Sequence, residues 1–291
     1  MTLEQLRLFV AVAEREHMTR AAAALHRTQS AVSAAIAGLE AQSGVILFHR
    51  IGRRIVLTEE GRVFLAEARA AVAQADAAER ALADLAGMKR GLLSVMASQT
   101  IASYWLPPKL VAFRAAHPQV TIKALIGNTA EVAAAVAEGK VEIGLAEGEV
   151  DNPVLERTMI GRDRLVIVAR ADHPWAVKPP GPADLLKEKW VLREQGSGTR
   201  SAFEAALAER GVDVSQLDVT LELPSNEAVR LAVRDGAGVS ALSELVAESG
   251  IHFGTLAPVR FPLPERPFQA LCHRERYLSK SGAAFMDLIR H

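Results

Sequence analysis

The sequence lacks most of the features by which membrane, secreted and metal-binding proteins are recognised. Cys272 is the only cysteine among the 291 residues, which excludes an intrachain disulfide and a cysteine-rich metal site. No apolar run approaches the roughly 18 residues that a membrane-spanning helix requires. Arg7 and Glu14 interrupt any hydrophobic signal segment at the amino terminus. These absences predict a cytoplasmic protein with no membrane association.

Motifs for catalysis are also missing. The sequence contains no Walker A motif, no H-E-x-x-H and no G-x-S-x-G. Gly236, Gly238 and Ala241 satisfy G-x-G-x-x-A, but they follow a predicted helix and precede a predicted strand, the reverse of the dinucleotide-binding order. Glu147 and Glu149, near the end of a predicted strand, are interpreted as solvated loop acids, with cleft residues as the alternative. The sequence therefore predicts a protein that is not an enzyme, with no catalytic residue, no metal site and no cofactor.

Positive charge is scarce overall and concentrated near the amino terminus. The formal net charge is zero and no lysine precedes Lys89, yet residues 17–58 hold five arginines against Glu40 alone. A neutral chain with a cationic segment is typical of a DNA contact confined to one domain. Because this charge is small, we expect more than one DNA-binding head to act together.

Residues 18–40 predict two short helices joined by a tight turn. Thr19 is the expected N-cap of the first helix, Met18–Leu25, and Thr28 that of the second. One face of the second helix is apolar and carries Val32, Ile36 and Leu39. The opposite face is small and polar and can approach another surface closely. This arrangement is a helix-turn-helix, whose second helix enters the DNA major groove.

A basic hairpin follows the second helix. Predicted strands at Ile46–Phe48 and Ile55–Leu57 flank an arginine-rich tip, a wing suited to phosphates or a narrow minor groove. A small helical subdomain with a solvated basic loop is the alternative, but it leaves the order helix, turn, helix, glycine and hairpin unexplained. The expected DNA contacts are Thr28, Gln29, Ser30, Ser33, Ala34, Arg50, Arg53 and Arg54.

Residues 59–87 predict one long helix capped by Thr58. Apolar residues spaced alternately four and three apart form a coiled-coil seam: Phe64, Ala68, Ala71, Ala75, Ala78, Leu82 and Leu85. The alternative is a single amphipathic helix packed on its own domain. Pairing of two such helices would place two recognition helices on successive turns of DNA.

Beyond a predicted hinge at residues 87–91, strands and helices alternate, which indicates mostly parallel sheets covered by helices. Two sets of elements predict two lobes with a cleft between them. The predicted strands are Leu92–Ala97, Val120–Ile126, Val141–Leu145, Leu165–Ala169, Trp190–Arg193, Val219–Leu223, Val239–Leu242 and Phe268–His273.

Three strand-to-helix junctions of these lobes are rich in hydroxyl and amide groups. Such junctions bind ligands in α/β folds, and helix N-termini favour anions. The expected ligand contacts are Ser98, Gln99, Thr100, Asn128, Thr129, Ser197, Thr199 and Arg200. Any one of these hydroxyls could be an ordinary N-cap. Together they predict a small anionic or polar ligand, with Arg200 as its charge partner.

Two stretches resemble a known family. S-A-V-S-A-A-I-A-G-L-E and G-V-I-L-F-H-R-I-G-R-R-I-V-L-T-E-E-G are similar to the amino-terminal domain of LysR-type transcriptional regulators. The resemblance implies a winged helix-turn-helix domain at 1–58, a linker and dimerisation helix at 59–87 and a two-lobed, periplasmic-binding-protein-like effector domain at 88–291. It further implies that the chain crosses between lobes twice, with lobe I at about 92–161 and 268–291 and lobe II at about 162–267. A homotetramer, built as a dimer of dimers, is expected on double-stranded DNA.

The cleft motifs S-Q-T-I-A-S-Y-W-L-P, G-N-T and G-S-G-T-R resemble the branch that regulates sulfur assimilation and carbon fixation. This resemblance implies a sulfur oxyanion as effector, with a phosphorylated sugar or an organic acid as alternatives. A transporter's solute-binding protein shares the cleft but leaves the helix-turn-helix unexplained. The chain departs from many family members at Ala34 and Ala37, where a long polar side chain is common. Direct base readout is therefore expected to be limited, with thymine methyls and DNA shape contributing the rest.

Overall fold

The computed structural model describes residues 1–51, 54–86 and 91–290. The chain divides into two compact units, Met1–Gly87 with Ala137–Lys140 and Met88–Val136 with Val141–His291. Among the described helices, none combines the length and the apolar character that crossing a membrane requires.

Four helices and a hairpin make up the described part of the first unit. Its elements are α1 (Leu3–Arg15), α2 (Met18–Ala24), α3 (Gln29–Ser43), β1 (Phe48–Ile51), β2 (Arg54–Leu57) and α4 (Glu59–Leu85). The predicted caps Thr28 and Thr58 are confirmed, since each side chain accepts a hydrogen bond from the first turn of its helix. The prediction that Thr19 caps α2 is wrong. The cap is His17, whose Nδ1 accepts the N–H of Arg20.

The core of the first unit is built around Phe9 of α1, which is fully buried. Its ring centroid lies 5.4 Å from that of Phe48 in β1 and 4.8 Å from that of Phe64 in α4. The buried face of α3 packs into the same cluster, as its periodicity predicts. One aromatic cluster therefore joins the first helix, the hairpin and the long helix. At the far end of α4, Leu82 and Leu85 remain exposed.

The second unit alternates strands and helices. Its strands are β3 (Leu92–Ser98), β4 (Thr121–Gly127), β5 (Ile143–Glu147), β6 (Leu155–Arg170), β7 (Lys189–Arg193), β8 (Asp218–Leu223), β9 (Ser240–Ser243), β10 (Leu256–Val259) and β11 (Glu265–His273). Its helices are α5 (Leu106–Ala116), α6 (Thr129–Ala137), α7 (Pro182–Leu185), α8 (Gly198–Ala208), α9 (Asn226–Arg234), α10 (Glu244–His252) and α11 (Lys280–Arg290). A π-helical turn, Ile101–Trp105, precedes α5.

Two long strands connect the lobes of this unit. The main sheet has the order β10-β6-β11-β5-β3-β4, with β9 also paired to β6. In the first lobe β3 runs parallel to β4 and β5, whereas β11 returns antiparallel to both β5 and β6. In the second lobe β7 and β8 form a separate parallel pair. The first part of β6 pairs with β11 and its end pairs with β9 and β10, so this single strand belongs to both lobes.

The predicted boundaries of strands and helices differ most from the observed ones near the strands that connect the two lobes. A strand was expected at Leu165–Ala169, but β6 begins at Leu155. Strand β10 and helix α10 were not predicted. Gly236 and Gly238 do lie between α9 and β9, so their order is the reverse of a dinucleotide-binding turn, as predicted.

Candidate functional sites

The turn between α2 and α3 brings the two helices together. Ala21 and Ala22 are buried, and small side chains allow a close approach of α2 to its neighbours. His26 adopts a left-handed conformation with φ of 52°, and Arg27 donates its N–H to the carbonyl of Ala22. The left-handed residue reverses the chain within a few residues. The predicted helix-turn-helix is therefore present.

The start of α3 presents the expected DNA-contacting face. Gln29, Ser30 and Ala34 are exposed and Ser33 is half-buried, whereas the apolar face is covered by the core. The hydroxyl of Thr28 accepts the N–H of Ala31 at 3.2 Å and lies 3.1 Å from that of Ser30. The helix thus exposes one long polar side chain, two hydroxyl side chains and a methyl group beside them.

The hairpin next to α3 has the geometry of a wing. Strands β1 and β2 are antiparallel, and Ile51 pairs with Arg54 at the last described position. Glu40, near the end of α3, accepts the N–H groups of Leu47 and Phe48 at 2.8 and 3.2 Å, which fixes the hairpin against α3. Arg53 and the side chains of Arg50 and Arg54 lie outside the described part of the chain.

The floor of the cleft in the second unit contains a buried acid. Glu147, the last residue of β5, is 2% exposed, and its Oε2 accepts a hydrogen bond from the hydroxyl of Ser98 at the end of β3. Thr129, which begins α6, donates its hydroxyl to the carbonyl of Glu147 at 3.2 Å. The interpretation of Glu147 as a solvated loop acid is wrong, because the ends of β3 and β5 and the start of α6 enclose it.

The start of α8 faces this floor. Gly198 lies so close to the carbonyl of Glu147 and the hydroxyl of Thr129 that a Cβ atom there would clash with both. Ser197 and Thr199 on either side are each 1% exposed. Ser197 is the N-cap of α8, but its Oγ caps no backbone N–H and has no hydrogen-bond partner among the described residues. This buried hydroxyl at a helix N-terminus therefore calls for an explanation.

The opposite wall joins β3 to α9 across the cleft. The side chain of Gln99 donates to the carbonyl of Pro224 at 2.7 Å and accepts the N–H of Asn226 at 2.9 Å. Asn226 Nδ2 in turn donates to the hydroxyl of buried Thr100 at 3.1 Å. Arg193, at the end of β7, donates to the other amide atom of Asn226. Two of the predicted contacts thus hold the lobes together directly.

The two remaining predicted residues, Asn128 and Arg200, differ in their surroundings. Asn128 lies at the cleft, where its side chain donates to Glu194 at 3.3 Å. The guanidinium of Arg200 is already bonded to protein atoms. It donates to Glu204 one turn further along α8, to Glu222 on β8 and to the backbone carbonyl of Arg193 at the end of β7. The structure therefore brings together seven of the eight predicted side chains, whereas the charge of the eighth, Arg200, is paired with two acids.

A buried ion pair between Arg266 and Asp163 lies next to the cleft residues. Arg266 of β11 donates from Nε and Nη2 to Asp163 of β6 at 2.8 and 2.6 Å, and its Nη1 donates to the Thr199 hydroxyl at 3.0 Å. Ser243 donates to the other oxygen of Asp163 at 2.7 Å. The side chains of both charged residues are no more than 3% exposed.

The sequence reasoning did not predict Arg193, Arg266, Asp163 or Asn226 at this site. The only available signal was that Arg193 ends a predicted strand and Asn226 begins a predicted helix. Asp163 and Arg266 lie 103 positions apart and meet only because β6 and β11 pair.

Comparison with known proteins matches both units to one family. Residues 3–62 match the model of the bacterial regulatory helix-turn-helix proteins of the lysR family, and residues 86–291 match the LysR substrate binding domain. The chain is 36% identical over 289 residues to the uncharacterized HTH-type transcriptional regulator YeiE of Escherichia coli K12, covering 99% of this chain and 96% of that protein. It is 33% identical to the RuBisCO operon transcriptional regulator of Allochromatium vinosum, covering 99% and 95% of the two chains.

A solved structure is similar to the second unit. The regulatory domain of CcmR from Synechocystis PCC6803, described in complex with 2-PG, aligns with a TM-score of 0.63 and 26% identity. The alignment covers 69% of this chain and 96% of that domain.

Proposed function

The chain belongs to the LysR family of bacterial transcription regulators, and from this premise we propose that it is a sequence-specific DNA-binding regulator controlled by a small anion. Helix α3 enters the major groove and the β1–β2 hairpin contacts the adjoining backbone or minor groove. The anion binds between the two lobes of the second unit. The protein acts in the cytoplasm, and the proposal includes no catalytic step.

The observation that carries the anion site is the unpaired Ser197 Oγ. Buried polar groups in folded proteins nearly always have a partner, and an exception calls for an explanation. The N–H groups in the first turn of α8 have no acceptor within the helix, and the helix dipole favours negative charge at the same place. Ser197 and these N–H groups together form a binding site for an oxyanion.

The lobe contacts link this site to a change of shape. Gln99 and Thr100 come from the first lobe and bond to Pro224 and Asn226 of the second. An anion that contacts residues of both lobes binds the closed arrangement more tightly than an open one. It therefore shifts the equilibrium between them by its difference in affinity.

The effector is a sulfur oxyanion in our proposal. A phosphorylated organic acid is the second candidate, favoured by the similarity to the CcmR domain described in complex with 2-PG. Both classes present several oxygens around one central atom to hydroxyl and N–H donors, so the same site residues serve either.

Replacing Ser197 with Ala tests the anion site. Because the hydroxyl has no partner in the described part of the chain, we expect the ligand-free variant to be as stable as the wild type. Loss of one hydrogen bond to a charged ligand should weaken anion binding about 10- to 100-fold. The measurement is thermal unfolding with sulfate, thiosulfate, phosphate, 2-phosphoglycolate and small carboxylates, followed by tryptophan fluorescence. An anion at about 100 times its Kd should stabilise the wild type by about 2.7 kcal/mol.

Ser249→Ala provides the matched control, because Ser249 is an exposed residue of α10 in the same unit. This variant should respond to the anion as the wild type does. The proposed anion site is refuted if no compound of the panel shifts the wild type, or if the shift persists unchanged in Ser197→Ala.

The exposed end of α4 supports assembly of two copies. Leu82 and Leu85 belong to the predicted seam and are 68% and 83% exposed. A second copy of the helix would cover these side chains and place two α3 helices on one DNA molecule. We propose a dimer formed through α4 and, from the family resemblance, a dimer of dimers as the complete regulator.

Replacing Gln29 with Ala tests the recognition helix. Gln29 is the first residue of α3 and the longest side chain on its exposed face. A bidentate amide contact to a base is worth about 1–3 kcal/mol, so we expect DNA affinity to fall roughly tenfold and selectivity to relax at one base pair. Selection from a randomised site library, followed by affinity measurements at fixed salt, provides both quantities.

Gln74→Ala is the control, since Gln74 is an exposed residue in the middle of α4. Its DNA preference and affinity should equal those of the wild type. An identical binding profile for Gln29→Ala would show that this side chain does not read a base.

A further inference from the structure

The carboxyl group of Glu147 lies among the residues of the proposed anion site. Its Oε2 is hydrogen-bonded to Ser98, and its Oε1 lies 3.7 Å from Nη1 of Arg266. That same Nη1 donates to Thr199 at 3.0 Å. A ligand held by Ser98, Ser197 and Thr199 would therefore lie beside a buried acid.

The nearby positive charge is already neutralised. Arg266 is paired with Asp163 through two nitrogens, and Arg193 is paired with Glu194 at 2.8 and 2.9 Å. With Asp163 and Glu194, Glu147 makes three acids, whereas only two guanidinium groups, those of Arg266 and Arg193, lie among them. If all three acids are ionised the cluster has a net negative charge, which opposes the entry of an anion into a poorly solvated site.

Burial already favours the neutral form of Glu147. Removal from water raises the pKa of its carboxyl group, and the charge of Asp163 on β6 raises that pKa further. Arg266 on β11 and Arg193 on β7 act in the opposite direction without reversing the shift. Protonation removes the excess negative charge and supplies an O–H donor.

We propose that the effector anion enters this cleft together with one proton, taken from solvent and carried on the carboxyl group of Glu147. This inference rests on the proposed anion site. Above the pKa of Glu147 in the free protein, its carboxylate takes up a proton when the anion binds. The resulting carboxylic acid can donate its O–H to the anion while its other oxygen still accepts from Ser98. Anion affinity therefore depends on pH even for an anion that does not itself titrate.

The first test uses sulfate and thiosulfate, which stay doubly ionised between about pH 6 and pH 9. Above the pKa of Glu147 in the free protein, the Kd of either anion should rise about tenfold for each pH unit. In Glu147→Gln, which is permanently neutral and keeps an acceptor for Ser98, the Kd should not vary with pH. At the alkaline end this variant should bind more tightly than the wild type.

Glu149→Gln is the matched control, because Glu149 is exposed and lies two positions further along the chain. It should keep the pH dependence of the wild type. A second measurement needs no variant: calorimetry of the wild type in buffers of different ionisation enthalpy should report uptake of about one proton per anion above the pKa of Glu147.

The outcomes separate this inference from the proposed function. If neither anion binds at any pH, the anion site itself is wrong and the coupling with it. If an anion binds without proton uptake and with a Kd that does not change above the pKa of Glu147 in the free protein, the coupling to Glu147 is overturned and the anion site stands. The same holds if Glu147→Gln keeps the pH dependence of the wild type.

Discussion

Replacing Arg266 with Ala is expected to lower the free energy of unfolding of the second unit by about 3–5 kcal/mol. The substitution leaves Asp163, a buried acid, without the guanidinium that pairs with it through two nitrogens. It also removes the cation nearest Glu147 and the donor to the Thr199 hydroxyl. An uncompensated buried charge costs far more than the loss of a surface ion pair.

The three tryptophans make this measurement selective. Trp105, Trp175 and Trp190 all belong to the second unit, so denaturant unfolding followed by their fluorescence reports that unit alone. Arg162→Ala is the control, because Arg162 forms an exposed pair with Glu265 on the same two strands. It should change stability by no more than about 1 kcal/mol. Equal effects of the two substitutions would contradict a structural role for the buried pair.

Replacing Phe9 with Ala is expected to cost the first unit about 3–5 kcal/mol. The ring is fully buried between Phe48 and Phe64, and its removal leaves a cavity where α1, the hairpin and α4 meet. Because this small unit has one such cluster in its described part, we expect DNA binding to be lost under ordinary conditions. Far-UV circular dichroism should show early loss of helix while the tryptophan transition remains at its wild-type position.

Phe253→Ala serves as the control, because that ring is 77% exposed. Both its helix signal and its DNA affinity should match the wild type. Retention of DNA binding and of the full helix signal in Phe9→Ala would show that the aromatic cluster does not hold the recognition helix in place.

Helix starts in the first unit could be predicted because they depend on the capping side chains of neighbouring residues. Thr28 and Thr58 cap their helices as predicted, and Thr2 and Gln5 form a reciprocal cap of the kind that the T-x-x-Q pattern favours. The error at α2 has the same origin: Thr19 is a common N-cap residue and His17 an uncommon one. Residue preferences for the N-cap position alone could not show that the imidazole of His17 accepts the N–H of Arg20.

The cleft was less predictable because its charges depend on long-range pairing. Hydroxyl-rich junctions located Ser98, Thr129 and Thr199, since parallel strands bring their carboxyl ends to one edge. The choice of Arg200 as charge partner was based on sequence position, whereas the helix directs it to Glu204 at i+4. Arg193 lies at the end of β7 and faces inward, which periodicity could not reveal.

The late position of β11 has a consequence for biosynthesis. Strand β5 is buried throughout and lies between β3 and β11, yet β11 is synthesised only after the whole second lobe. At about 5–20 residues per second, the edge of β5 is unpaired for roughly 6–24 s after it leaves the ribosome. During that interval the second lobe can form its own core, whereas the first cannot. The nascent chain therefore exposes the unpaired edge of β5 until β11 has been synthesised, and we expect this edge to be the part of the unfinished chain most prone to aggregate.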